Sequence, residues 1–217
     1  TTSFKAGCRD APLAIRQVSY NIETYLPYYD LEMTDVSVHD MGDMYVECLP
    51  DLMVEQVADA VSDLMKDEKV PIMMGGEHSV TIGAVQTLKP KWYVVCDAHL
   101  DMQDEYRGSP FNHDCVTARV SEVVENIVII GARSGCKEEF EYARENYHLY
   151  TADDVEERGI RAVLDEVSEL IGDDSLYLSI DADAIDCCLT PGLGTPEPFG
   201  LTPKDLRAVI RRLVKNA

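Results

Sequence analysis

Four short apolar runs alternate along the chain with segments of helical spacing, and this alternation limits the folds available to it. The runs cover residues 70–74, 92–96, 127–130 and 176–180, and they are rich in β-branched, aromatic and sulfur-containing side chains. Continuous apolar runs predict strands buried on both faces of a sheet. Apolar spacing typical of helices spans 52–65, 80–88 and 160–170. The order predicts a three-layer α/β/α fold with a mainly parallel, doubly wound sheet.

Length and charge narrow the class of protein further. With 217 residues, 46% of them apolar, the chain suits a single globular domain with one core. Its 40 Asp and Glu residues against 19 Lys and Arg residues give a net charge of −21. Such a surface repels phosphate backbones, so nucleic acid is excluded as the expected partner. Acidic surfaces commonly serve solubility alone, although they also attract small cations.

The sequence indicates neither a membrane-spanning segment nor a disulfide framework. No apolar run approaches the roughly 18 residues needed to cross a bilayer, and charged residues interrupt the first thirty positions. The seven cysteines are odd in number and never spaced as CxxC, which favours free thiols. We therefore expect a soluble, cytoplasmic protein with no membrane partner.

Histidine and aspartate cluster directly after three of the predicted strands. Gly-Gly-Glu-His-Ser follows the first run at 75–79, Asp-Ala-His-Leu-Asp follows the second at 97–101, and Asp-Ala-Asp follows the last at 181–183. In open parallel sheets ligands bind beyond the carboxyl ends of the strands. Any one cluster alone is typical of a solvated turn or a helix cap. Three of them at corresponding places predict a site.

The residue types in these clusters are those of a metal site. Asp97, His99 and Asp101 are spaced to project to one side of an extended segment, as are Asp181 and Asp183. Four converging carboxylates would repel one another without a cation. Together with the two imidazoles, His78 and His99, the four carboxylates provide enough ligands for two divalent ions, and the oxygen majority favours Mn²⁺ over Fe²⁺ or Zn²⁺.

A two-metal centre points to hydrolysis as the reaction class. Such centres activate water near neutral pH and stabilise tetrahedral intermediates. His113 lies twelve residues beyond Asp101 in a predicted loop. At that position it is a candidate to transfer a proton to the leaving group.

The same motifs resemble the signatures of the ureohydrolase family, the arginases, agmatinases and their relatives. The resemblance rests on the three clusters above, on Ser-Ile-Asp-Ala-Asp-Ala-Ile-Asp at 179–186 and on Pro-Gly-Leu-Gly-Thr-Pro-Glu-Pro at 191–198. It implies an arginase-like fold and a site with two Mn²⁺ ions. One ion would be held by His78, Asp97, Asp101 and Asp181, and the other by Asp97, His99, Asp181 and Asp183.

The resemblance also implies the reaction and its participants. Activated water would attack the guanidinium carbon of a small cationic substrate, His113 would transfer protons, and urea and an amine would be released. Asp186 and Glu197 are candidates to support the metal ligands, although Glu197 also fits a rigid loop between prolines. Relatives assemble as trimers or hexamers, so a homo-oligomer is expected.

Within the family, Gly-Thr-Pro-Glu-Pro at 194–198 and Asp-Glu-Tyr-Arg-Gly at 104–108 resemble the agmatinase branch. This implies agmatine as substrate, putrescine and urea as products, and a role in polyamine synthesis. Arginase or guanidino-acid activity stays open. So do a deacetylase-like amide hydrolase with one Zn²⁺ and an inactive guanidinium-binding or partner subunit, although all six metal-ligand positions are present.

Three departures from the family pattern bear on these expectations. Asp114 follows His113 where the family usually has Gly, and Cys187-Cys188 replaces the usual Pro after Asp186. Residues 1–217 are expected to form a single arginase-like domain that lacks the family's first strand and its C-terminal strands. Those strands lie inside the sheet of the family's fold, so we expect unpaired sheet edges. One of them carries the glutamate that anchors the guanidinium, so we leave the substrate-binding residues unassigned.

Overall fold

The computed structural model describes residues 4–45, 47 and 49–216. Its strands in chain order, β1 to β6, are Tyr25–Leu26, Leu31–Glu32, Trp92–Cys96, Asn126–Ala132, His148–Thr151 and Leu176–Ile180. Its α-helices in chain order, α1 to α8, are Ala11–Ser19, Pro50–Lys66, Val80–Leu88, Val116–Ser121, Lys137–Asn146, Ala152–Arg158, Ile160–Ile171 and Pro203–Leu213. Short 3-10 turns complete the chain, among them His113–Cys115 and Ala182–Ala184.

The main sheet has four parallel strands in the order β5-β4-β3-β6. β3 is central, with Val94 opposite Val128 of β4 on one side and Leu178 of β6 on the other. β1 and β2 form a separate antiparallel hairpin. The mainly parallel sheet with helices around it confirms the predicted three-layer α/β/α class.

Both faces of the sheet are covered, because alternate residues of β3 enter different cores. Tyr93 and Val95 pack with side chains of α2, α3 and α4. Trp92, Val94 and Cys96 pack with side chains of α6, α7 and α8. This double burial explains why the 92–96 run is continuously apolar, as the sequence predicted.

The strand predicted over residues 70–74 is not formed, and that prediction is wrong. Val70 and Ile72 are 78% and 86% exposed, so burial on both faces is absent as well. A strand exists only where a neighbour accepts and donates the ladder hydrogen bonds, and Pro71 removes one donor. Within the described residues, β6 has β3 as its partner on one side and no strand on the other.

The other regular elements follow the sequence with shifts at their ends. The predicted strands 92–96 and 176–180 are reproduced, 127–130 extends to Asn126–Ala132, and the three predicted helices become α2, α3 and α7. β5 was not predicted. It is a short edge strand of four residues with one buried side chain, Tyr150, so it carries little apolar signal.

The six cysteines in the described part of the chain are free, as predicted for them; Cys48 lies outside the described residues. Within the same ranges, no helix combines the length and the apolar character that crossing a bilayer would demand.

Candidate metal centre

The carboxyl ends of the central strands meet at one edge of the sheet. The backbone N–H of Asp97, directly after β3, donates to Ile130 of β4 at 3.1 Å. The N–H of Asp181, directly after β6, donates to Cys96 at 2.9 Å. The pairing of parallel strands thus brings together two aspartates that are 84 positions apart in the sequence. Both clusters lie at the edge where α/β folds bind ligands.

The first ligand group surrounds His78. Its Nδ1 lies 2.8 Å from Asp101 Oδ2, 3.1 Å from Asp97 Oδ2 and 3.6 Å from Asp181 Oδ2. Its Nε2 lies 3.0 Å from the hydroxyl of Ser179, which fixes the ring from the opposite side. The side chains of His78, Asp97 and Asp101 are 3–7% exposed. Nδ1 is therefore the atom directed into the carboxylate cluster.

The second group surrounds His99 and shares Asp97 with the first. His99 Nδ1 lies 3.2 Å from Asp183 Oδ2 and 3.5 Å from Asp97 Oδ1. Asp183 is held in turn by the Ala98 N–H at 3.1 Å and the Thr195 hydroxyl at 2.9 Å. Asp97 thus directs Oδ2 to one histidine and Oδ1 to the other, so the two groups are adjacent and joined by one carboxylate.

Burial and neighbouring charges shift the pKa values of the carboxyl and imidazole groups in the cluster. Burial, reinforced by the Asp97 charge, raises the pKa of Asp101 well above its usual value. Burial and the neighbouring Asp183 likewise raise the pKa of Asp181. Burial opposes the charged form of His99, but Asp183 and Asp97 outweigh it and raise the pKa of His99 to about 11.

The pKa of Asp97 shifts in the opposite direction to those of Asp101 and Asp181. Burial and the Asp181 charge act to raise its pKa, but hydrogen bonds with His78 and His99 outweigh them and lower it. Hydrogen bonds with the two imidazoles thus offset part of the repulsion that Asp97 meets from its neighbouring carboxylates. A pair of divalent ions would relieve the same repulsion and leave the imidazoles neutral.

The donor set fits divalent metal ions. Within each of two groups, His78 with Asp97 and Asp101, and Asp97 with His99 and Asp183, the ligand atoms lie within 4.8 Å of one another. Mixed carboxylate and imidazole ligands without thiolate are typical of Mn²⁺, Fe²⁺ and catalytic Zn²⁺ sites. Asp101 has a left-handed backbone, φ 53°, which aspartate tolerates better than most residues.

The remaining predicted residues lie at different distances from these groups. Asp181 borders the first group through its 3.6 Å approach to His78 but belongs to neither group. Glu197 lies 3.7 Å from His99 Nε2 and accepts a hydrogen bond from the Ser134 hydroxyl at 3.1 Å. Asp186 is not brought into the cluster: it caps a turn, accepting the N–H groups of Cys188 and Gly200.

His113 lies in the short 3-10 turn that precedes α4, outside both ligand groups. Its Nδ1 is 3.1 Å from Glu77 Oε1, and its ring meets the Tyr106 ring edge-on at 5.6 Å. Its predicted part in proton transfer stays a prediction.

Arg133, placed after β4, holds the loop that carries Asp183 of the second group. Its guanidinium donates to the backbone carbonyls of Asp183, Glu197 and Pro198 at 2.8–2.9 Å, and to Gly131 and Ala184 at 3.1 and 3.4 Å. From the sequence alone, Arg133 is open to a role at an interface or in a loop ion pair. In the folded chain its guanidinium partners are backbone carbonyl groups and not carboxylates.

Comparison with known proteins agrees with this geometry. The family model described as the arginase family matches residues 1–217. The chain belongs to the arginase family. It is 40% identical to the N(1)-aminopropylagmatine ureohydrolase of Thermococcus kodakarensis, with all of this chain and 75% of the relative aligned. It is 38% identical to the agmatinase of Pyrococcus horikoshii over 93% of this chain and 70% of that protein.

A solved arginase-family structure extends the likeness to three dimensions. The agmatine ureohydrolase of Thermoplasma volcanium matches with a TM-score of 0.94 and 38% identity, over 100% of this chain and 75% of that one. The predicted resemblance and the fold are thereby confirmed. The enzyme class is confirmed too: the chain is a ureohydrolase of agmatinase-like type, a hydrolase for guanidino compounds.

The sequence did not identify the residues that hold this arginase-family site together. Ser179 and Glu77 lie within the motifs named above, but nothing in the sequence shows that they contact His78 and His113. His113 is 36 positions from Glu77, and four of the five carbonyl partners of Arg133 are 50 to 65 positions distant, so only the folded chain reveals these contacts.

Proposed function

We propose that this arginase-family chain uses two Mn²⁺ ions to hydrolyse agmatine to putrescine and urea. The observation that carries the proposal is the position of Asp97, whose two oxygens face different histidines. A carboxylate shared by two ligand groups is what a binuclear centre requires, and a mononuclear Zn²⁺ amide hydrolase would not need it.

The proposed ligand sets follow the two groups. His78, Asp97, Asp101 and Asp181 would hold one ion, and Asp97, His99, Asp181 and Asp183 the other. The 3.6 Å approach of Asp181 to His78 supports its inclusion. Bound ions would supply activated water at neutral pH and stabilise negative charge in the transition state.

The protein's own residues would orient the groups and move the proton. Attack of water on the guanidinium carbon forms a C–O bond, and the C–N bond to the alkyl amine breaks. His113 would donate the proton that this amine nitrogen needs to leave. Glu197, 3.7 Å from His99, would help to orient that ring, whereas Asp186 would act only through the turn it caps.

One observation favours a substrate without a carboxylate. The N–H donors of Arg133, which lies beside Asp183, are engaged by backbone carbonyls, so this guanidinium offers no free donor to a substrate carboxylate. Agmatine therefore suits the site better than arginine or a guanidino acid.

N(1)-aminopropylagmatine is the second candidate substrate. It also lacks a carboxylate, and the Thermococcus enzyme named for it is as similar to this chain as the Pyrococcus agmatinase, 40% against 38% identical. The extra aminopropyl group adds a cation, which the net charge of −21 would also attract.

A substrate panel tests the proposal. Full-chain protein loaded with Mn²⁺ is given agmatine, N(1)-aminopropylagmatine, arginine and 4-guanidinobutyrate, and urea release is measured with the bound metal counted on the same sample. We expect urea from one of the first two compounds and two ions per chain. If urea were released from arginine or 4-guanidinobutyrate alone, that compound would be the substrate in place of agmatine. If the metal-loaded protein released no urea from any of the four compounds, the result would favour an inactive binding subunit.

Cytoplasmic location, assembly as a homo-oligomer of three or six chains and a place in polyamine synthesis belong to the same proposal. They rest on the expectations drawn from the sequence and from the family resemblance. Gel filtration with light scattering would give the number of chains directly.

A further inference from the structure

Glu77 connects the first ligand group to the predicted proton-transfer histidine. It precedes His78 in the chain, yet it belongs to neither group of metal-ligand atoms. Its Oε1 accepts the backbone N–H of His113 at 3.1 Å and lies 3.1 Å from Nδ1 of the same residue. Its Oε2 accepts the Ser79 N–H at 3.1 Å and the Ser79 hydroxyl. Both carboxylate oxygens are thus engaged, one towards each segment.

The turn that presents Glu77 has little freedom to move. A Cβ added at Gly76 would lie 2.4 Å from the carbonyl oxygen of Cys8, and one at Gly75 would lie 2.6 Å from Val80 Cγ2. Such close approach is available only to glycine. The α3 helix begins directly afterwards, so the carboxylate is held between a packed turn and a helix start.

The His113 ring is held on the side that faces Glu77. The backbone N–H of His113 is shared between Glu77 and the side-chain oxygen of Asn112, which accepts it at 2.8 Å. The Tyr106 ring limits rotation from a second direction. The side chains of Glu77 and His113 are each 19% exposed, so water competes weakly for this contact. Among contacts of the described residues, the hydrogen bonds of the ring involve Nδ1 and not Nε2.

We propose that Glu77 is a positioning residue that accepts the Nδ1–H of His113 and directs Nε2 to the reaction. The proposal rests on the proposed function. With Nδ1–H donated to Glu77, Nε2 is the nitrogen that accepts a proton from attacking water. The same nitrogen then returns that proton to the departing amine while the C–N bond breaks. Such fixing of the tautomer by a second group is how carboxylates act on catalytic histidines.

Kinetics of matched variants test the proposal. Glu77→Met keeps the length of the side chain but accepts no N–H, whereas Glu77→Gln keeps an acceptor oxygen without the charge. We expect kcat to fall about 100-fold in Glu77→Met with KM within about twofold, and most of it to return in Glu77→Gln. Bound metal, counted in each variant, stays at the wild-type level. The exposed acid Glu141, changed to Gln on α5, is the control.

A double variant separates positioning from general damage. If Glu77 acts through His113, adding Glu77→Met to His113→Asn lowers kcat no further. Multiplicative losses would overturn the proposal, as would a Glu77→Met enzyme with wild-type kcat.

A readout independent of turnover covers variants that fold poorly or a wild type that releases no urea. Protein labelled with ¹⁵N-histidine and loaded with diamagnetic Mg²⁺ is examined by NMR. We expect the proton of wild-type His113 on Nδ1, and retention of this tautomer in Glu77→Gln. A proton on Nε2 in the wild type would overturn the proposal whatever the substrate. A panel without urea release but with the Nδ1 tautomer would instead overturn only the proposed function.

Discussion

At the scale of one residue, the burial of Asp101 among other carboxylates is expected to lower the stability of the metal-free protein. Burial and the Asp97 charge raise its pKa in the folded state. The folded protein then binds more protons than the unfolded chain, so metal-free stability falls as pH rises above about 3.9. We expect Asp101→Asn to raise the metal-free Tm at pH 7 by about 2–4 °C, since asparagine also tolerates its backbone. Calorimetry without metal measures this, with Asp153→Asn as control.

The same substitution is expected to remove a metal ligand, so elemental analysis of reloaded protein should show a lost ion. A lower metal-free Tm in Asp101→Asn would contradict the assigned cost of its charge.

The sequence could single out Asp101 as a candidate ligand because its spacing and residue type are those of a metal site. It could not identify Glu77, because a contact with His113 depends on how two loops fold together.

At the scale of elements, Arg133 ties the end of β4 to the loop that carries Asp183. Its five carbonyl partners need the planar fork of a guanidinium, which a lysine ammonium cannot reproduce. We expect Arg133→Lys to lower the free energy of unfolding by about 1–3 kcal/mol through unsatisfied carbonyls. The second ligand group should lose metal affinity more than the first. Urea denaturation and metal titration measure both, with exposed Arg161→Lys as control.

Equal occupancy of both ions and unchanged stability in Arg133→Lys would show that the loop keeps its conformation without the guanidinium.

The strands also show what a sequence pattern can predict. The 92–96 run is buried by helices on both sides, so its composition predicted β3 correctly. The 70–74 run has a similar composition but no strand beside it in the described chain. Pairing is a property of two segments, and an apolar run reports only one of them.

At the scale of the whole molecule, exposed apolar side chains and an unpaired sheet edge favour self-association. Val70 and Ile72 are strongly exposed, and Ile180 at the end of β6 is 39% exposed. Unpaired edges and apolar patches are common sites of contact between chains. We expect the 217-residue chain to associate as its concentration rises, and Ile72→Lys to weaken this association. Light scattering over a concentration series measures it, and equal masses for both proteins would contradict the prediction.

Metal binding should stabilise the molecule as a whole, because its ligands come from three separate parts of the chain: His78, residues 97–101 and residues 181–183. An ion that binds only the folded state adds about 2.7 kcal/mol at a hundredfold excess over its Kd. For a chain of this size we expect Mn²⁺ to raise Tm by about 5–10 °C and a chelator to reverse the shift. Differential scanning fluorimetry measures the change, with Asp183→Asn expected to show a smaller one. If Tm did not respond to saturating Mn²⁺, the buried carboxylates would have to be stabilised by their histidines alone.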